Sequence, residues 1–182
     1  MLTSPYTTID TPALLVDLDL VRVNVQEMQD KADYFGVALR PHTKTHKMPL
    51  LAQMQAAAGA KGITVAKLGE AETMAAHGLH DIFIANQVVG NEKLARLRNL
   101  SAACRVSIGI DNSEQVASLQ KAFAGADTVL PVLVEVEVGE NRCGVATPEE
   151  LLALAAEVAA ADNLHLQGVF CHEGHTYGSH DE

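Results

Sequence analysis

The stretch "GITVAKLGEAETMAAHGLHDIFIAN", residues 62–86, holds one whole structural unit. "GITVA" (62–66) and "DIFIAN" (81–86) are short, β-branched and almost continuously apolar. Strands buried on both faces of a parallel sheet read this way. "LGEAETMAAHG" (68–78) between them is Ala-rich and stops at Gly78, as a helix does. Parallel strands need a crossover of this kind, so the stretch predicts a β-α-β unit.

The pattern repeats on both sides. Strands are expected at "VALRPH" (37–42), "RVSIGID" (105–111), "PVLVEVEVG" (131–139) and "LQGVFCHE" (166–173). Helices are expected at "MPLLAQMQAAAG" (48–59), "NEKLARLRNL" (91–100), "SEQVASLQKAFAG" (113–125) and "TPEELLALAAEVAAAD" (147–162). Asn91, Ser113 and Thr147 are the candidate N-caps. Pro49 and Gly59 bracket the first of these helices in the favoured order. A further helix over roughly 19–35 places Val21, Val25, Met28 and Ala32 on one face. Ahead of it, "PALLVDLD" (12–19) reads as a strand without an evident partner.

Strand starts recurring roughly every 20 to 30 residues mark an α/β chain. It is either a (β/α)8 barrel of the TIM type or a doubly wound sheet. The evenness of the repeats and the absence of G-x-G-x-x-G after any strand favour the barrel. His42 and Lys44, Asn86 and Gln87, Asp111, Arg142, and His172 with His175 all follow strand C-termini. In a barrel those ends share one mouth. Six strands fall short of eight, and the chain stops at "HTYGSHDE" (175–182). The expectation is a partial, truncated barrel of about six βα units over residues 19–182, preceded by an N-terminal strand within residues 1–18.

Thirteen Lys+Arg against 23 Asp+Glu give a net charge of −10. That balance excludes a nucleic-acid-binding surface and disfavours an anionic membrane surface. No run approaches the roughly 18 apolar residues of a membrane span. The N-terminus lacks the basic and apolar regions of a signal peptide. Cys104, Cys143 and Cys171 are odd in number and widely spaced, which suits a reducing, cytoplasmic setting.

Three segments carry chemistry. In "RPHTKTHK" (40–47), Lys44 is flanked two residues away by His42 and His46. In strand-like geometry these share a face. A lysine crowded by cations and partly desolvated becomes nucleophilic toward a carbonyl, as a Schiff-base lysine must be. A solvated basic loop is the alternative, and Lys47, at the helix start, reads as a solvated rival. In "GENRCGV" (139–145), Arg142 is set to meet a carboxylate or phenolate, or else to pair with Glu140 at the surface. In "CHEGHTYGSHD" (171–181), His172, His175 and His180 could ligate a metal, or His172 could pack flat against a ring. A histidine-based metallohydrolase using His42, His46, His172 and His175 is the reading these residues allow without any family.

In order along the chain stand "TPALLVDLD", "RPHTKTHK", "VAKLGEAETMAAHG", "DIFIANQVVG", "VEVEVGENRCGV" and "GVFCHEGHTYG". Together they resemble the D-threonine aldolase / eukaryotic-type D-serine dehydratase family, which has the alanine-racemase-like fold type III of pyridoxal-phosphate enzymes. The resemblance implies a pyridoxal 5'-phosphate-dependent lyase acting on small D-amino acids. It makes Lys44 the Schiff-base residue, with His42 beside it. Gln87, Arg142, His172 and Tyr177 become cofactor contacts: Arg142 near the 3-hydroxyl, His172 against the pyridine ring. It further implies a homodimer, phosphate-binding loops after later strands, and a divalent metal (zinc or manganese). The metal ligands belong to a C-terminal β-domain outside this chain, which the strand at 12–17 would join, so no metal ligand is assigned here. An amino-acid racemase of the alanine racemase kind is the alternative enzyme, and a non-catalytic pyridoxal-phosphate carrier the alternative outside enzymes.

Overall fold

The computed structural model describes residues 6–178. Helices α1 (Leu18–Tyr34) and α2 (Pro49–Ala58) precede a regular alternation. It runs β1 (Ile63–Val65), α3 (Leu68–Ala76), β2 (Asp81–Ile84), α4 (Asn91–Ala103), β3 (Arg105–Ile110), α5 (Ser113–Phe123), β4 (Leu130–Val136), α6 (Pro148–Ala159) and β5 (Leu164–Cys171). Short 3₁₀ turns occupy Thr43–Thr45 and Gly174–Gly178. The described helices include none long and apolar enough to cross a membrane.

All strand pairs are parallel, and the order is β1-β2-β3-β4-β5. Each strand lies beside its predecessor and the order never reverses. A doubly wound sheet reverses at a switch point. The winding is therefore that of a partial (β/α) barrel, left open in this chain.

The pleat sorts side chains onto two layers. Ile82, Ile84, Val106, Ile108, Ile110, Leu130, Val132 and Val134 face the helices and form the main buried core. The opposite face carries Phe83, Gly109, Glu135 and Phe170. Phe83 and Phe170 meet edge to face with centroids 4.9 Å apart, although they stand on β2 and β5. Three strand spacings span roughly 14 Å on a flat sheet, so this contact requires the sheet to curl toward closure. Gly109 makes it possible, because a Cβ there would lie 2.5 Å from Phe170 Cζ. Gly109→Val is expected to cost about 1–3 kcal/mol, read as a lowered denaturant midpoint, whereas Ser107→Val on the same strand should cost less.

Five strands form among the described residues, where six were expected. Residues 37–42 contribute only a single bridge, His42 to Thr64. Leu39 and Pro41 accept from the Lys61 and Thr64 amides at 2.9 and 2.8 Å, but Pro41 has no N–H to return, so the ladder stops. The expected strand at 12–17 is likewise unpaired; Leu14 is 91% exposed, and Asp17 instead caps α1 by accepting from the Asp19 and Leu20 amides. On α1 the inward stripe runs Val21, Val25, Gln29, Ala32, so Gln29 replaces the expected Met28, which is exposed. Gln29 tolerates burial partly because its amide donates to Asp33 at 2.8 Å. The caps shift by one residue at two helices: Gly90 precedes α4, and Asn112 rather than Ser113 caps α5. Thr147 caps α6 as expected, in a full capping box with Glu150.

Candidate active site

The mouth is built from strand exits, starting with the turn after residue 42. Residues 43–45 form a 3₁₀ turn instead of continuing a strand, which overturns the expectation that His42, Lys44 and His46 share a face. Buried Thr43 pins the turn by donating its hydroxyl to the Thr64 carbonyl at 3.2 Å. His42 Nδ1 accepts from the Lys44 amide at 3.3 Å, so a neutral His42 carries its proton on Nε2. Lys44 projects from this turn and is exposed. His46 departs from the group, its Nδ1 accepting from the Met48 amide at 3.0 Å.

Burial pushes the His42 imidazole below its ordinary pKa, and the Lys44 charge adds to the effect; Glu70 opposes it. Burial also lowers His46. Both rings gain protons more readily when unfolded, so the stability they confer is present above the unfolded pKa of about 6.5 and is lost as pH falls below it. The thermal midpoint should therefore fall between about pH 7.5 and about pH 5.5, and a His42→Gln/His46→Gln double variant should flatten that slope.

Lys47 is not simply solvated. Its backbone is left-handed, with φ 53, and its ammonium ion-pairs with Glu70, which is 7% exposed. The other Glu70 oxygen accepts from the Ala66 amide at 2.9 Å. Burial works against the Glu70 carboxylate, but the bonds from Lys47 and Ala66 outweigh it and hold its pKa below the ordinary range.

The exits of β2, β3 and β4 share a polar cluster. Asn86 bridges two strand exits by donating to the Ala66 carbonyl at 3.0 Å and accepting from the Gln87 amide. Gln87 Nε2 then donates to Asp111 Oδ2 at 3.1 Å and to Glu135 Oε2 at 2.8 Å. Glu135 is 5% exposed, and burial pushes its pKa up against the opposing Gln87 bond and Arg142 charge. Arg142 Nη2 lies 4.0 Å from Glu135 and 3.4 Å from Glu140. The surface pairing with Glu140 and the inward contact therefore coexist, through one nitrogen and not bidentately. Cys143 joins Asp111 and Glu135 in a group whose donor atoms lie within 4.8 Å of one another. This set could hold a cation, yet the two carboxylates already share the Gln87 amide, and burial holds the Cys143 thiol protonated by raising its pKa.

At the β5 exit, His172 Nδ1 lies 2.8 Å from Glu140 Oε2. The exposed Tyr177 ring stands edge-on to His172 at 6.1 Å. His172 also bears electrostatically on His42. Gln87 and Arg142 thus meet at Glu135, Arg142 and His172 meet at Glu140, and Tyr177 stands against His172, while His42, bridged to Thr64 of β1, feels the charges of Lys44 and His172. Among the described residues the three-donor group is Asp111, Glu135 and Cys143, without a histidine; His180 and Asp181 lie outside the described residues. Glu70, Glu135, Glu140 and Cys143 are the members that sequence reasoning did not assign to the site. Glu140 had a local signal as the pairing partner expected for Arg142.

A curated D-threonine aldolase from Arthrobacter sp is 40% identical over 170 residues, 93% of this chain and 45% of that protein. The crystal structure of D-threonine aldolase from Filomicrobium marinum superposes with TM-score 0.85 at 42% identity, covering 88% of this chain and 43% of that one. D-threo-3-hydroxyaspartate dehydratase from Delftia sp. HT23 superposes with TM-score 0.86 at 34% identity, covering 93% and 45%. The chain spans less than half the length of these relatives. With residues 16–182 matching the model for the alanine racemase N-terminal domain, the chain belongs to that family.

Proposed function

We propose that this chain forms the cofactor-binding part of a pyridoxal-phosphate-dependent lyase that cleaves 3-hydroxy-D-amino acids. The observation that carries the reading is an exposed, turn-mounted Lys44 beside His42 in a chain 40% identical to a D-threonine aldolase, and the linkage of Arg142 to His172 through Glu140 supports it. The donor set fits the cofactor: a primary amine for its aldehyde, a guanidinium for its phenolate oxygen and an imidazole for its ring. When bound, pyridoxal phosphate supplies an electron sink for the charge left at the substrate Cα.

The chain's own residues then have separate tasks. Lys44 would hold the cofactor through its amine. His42, whose burial favours the neutral ring, is placed to hold or move a proton at Nε2. Arg142 would meet the phenolate oxygen and Tyr177 would contact the cofactor beside His172, while Gln87 holds the carboxylates of Asp111 and Glu135 in place. Residues 1–18 are assigned to a β-domain supplied from outside this chain, which also brings a divalent cation, zinc or manganese, in a homodimer. Three unpaired cysteines agree with a cytoplasmic location.

A dehydratase is the second reading, favoured by the 34% identical Delftia enzyme. The full-length protein, incubated with D-threonine and D-serine with and without chelator, separates the possibilities. Glycine plus acetaldehyde is the expected result. A keto acid plus ammonia identifies a dehydratase. The L-isomer alone identifies a racemase, and no turnover identifies a carrier; either of the last two overturns the proposal.

A further inference from the structure

Glu140 stands where two strand exits meet. It leaves the loop after β4, yet its carboxylate reaches His172, 32 residues later at the exit of β5. One oxygen, Oε2, takes both nitrogen neighbours: His172 Nδ1 at 2.8 Å and Arg142 Nη2 at 3.4 Å. The other oxygen, Oε1, fills the space beside Gly174, where a side-chain Cβ would collide with it and also lie 2.7 Å from His172 Cε1. A glycine at 174 is therefore what lets the carboxylate and the imidazole sit together. On the other side Gly139 lies against the His175 ring, where a Cβ would come within 3.1 Å of two ring atoms. The two loops are thus fitted to each other at two points.

An ionised carboxylate accepts hydrogen bonds only. With Glu140 ionised, the 2.8 Å contact requires the proton on His172 Nδ1, which leaves Nε2 unprotonated in the neutral ring. We propose that Glu140 is a positioning residue for His172, fixing its Nδ1–H tautomer and ring orientation and tying it to Arg142. This rests on the reading of His172 and Arg142 as cofactor contacts. The same carboxylate couples the residue facing the cofactor ring to the residue facing its phenolate edge, so the two cannot reorient independently.

The test uses full-length protein labelled with ¹⁵N-histidine, and the His172 signals are assigned by their loss in His172→Asn. Long-range ¹H–¹⁵N spectra should show His172 protonated at Nδ1. Glu140→Ala should move that proton to Nε2. Gly174→Ala, which leaves Glu140 chemically intact but displaces it, should do the same, while Glu140→Gln, whose carbonyl still accepts from Nδ1, should retain the wild-type pattern. Cofactor affinity, read by absorbance titration, should weaken about tenfold in the two alanine variants and little in Glu140→Gln. A wild-type His172 protonated at Nε2, or a tautomer indifferent to Glu140→Ala, overturns the proposal. Failure of the underlying functional reading has a different mark: no cofactor absorbance dependent on Lys44 in the wild type, whatever the tautomer.

Discussion

Replacing Lys44 by alanine is expected to remove the near-visible absorbance that a lysine-bound cofactor would give and to lower turnover of the full-length protein about 10⁴-fold or more. The reason is local. Lys44 is an exposed amine held on a turn that Thr43 anchors to β1 through a buried hydroxyl. Lys47, the rival in the same segment, is held elsewhere: its ammonium is engaged by Glu70, and its backbone is left-handed. Lys44→Arg should be as inactive as Lys44→Ala, because a guanidinium does not give up its proton to become a nucleophile. Spectra and turnover of Lys44→Ala, Lys44→Arg and Lys47→Ala check this together. Loss of the band in Lys47→Ala alone, with Lys44→Ala intact, would reverse the assignment.

Glu70→Leu is expected to destabilise the protein by about 2 kcal/mol. The buried carboxylate satisfies the Ala66 amide and the Lys47 ammonium at once. Hydrogen bonds to charged groups contribute about 1.5–3 kcal/mol, and the Lys47 share is discounted because that side chain is 59% exposed. Glu70→Gln keeps an acceptor for Ala66 and should cost about half as much. Because the Glu70 pKa is depressed in the fold, its contribution is present above the unfolded value and is lost as pH falls through the lower folded one. Chemical denaturation at neutral and strongly acidic pH should therefore show wild type and Glu70→Leu converging in acid, well below the window in which His42 and His46 act.

The repeating unit was legible because its signals are local. Periodicity, Pro and Gly punctuation and the Thr147 box place each helix within a few residues of its observed span. The strand at 37–42 was misread because its composition is strand-like while Pro41 withholds a donor, a defect visible only once a neighbour tries to pair. Met28 and Gln29 are adjacent positions that hydrophobicity ranks one way and the helix's rotation toward α2 ranks the other, Gln29 lying against Gly59 at the end of α2. The site divides in the same manner. Lys44, Arg142 and His172 stand in recognisable segments, whereas the Gln87–Glu135 bond joins residues 48 apart and the Lys47–Glu70 pair residues 23 apart. No spacing rule reaches that far; only the winding of the sheet brings them together.

The aromatic pair under the mouth has a consequence for how protons travel. Phe170 is the register partner of Glu135 and lies over Gly109 against Phe83. Hydrocarbon therefore lies beside and beneath the carboxylates, and their charges act through a medium less screening than water. Glu135 is reached on the cluster side past Gln87 and Arg142, whereas Asp111 also opens on a separate recess lined by Asn112, Ser113, Gly144 and Glu150, so the two acids meet solvent by different routes.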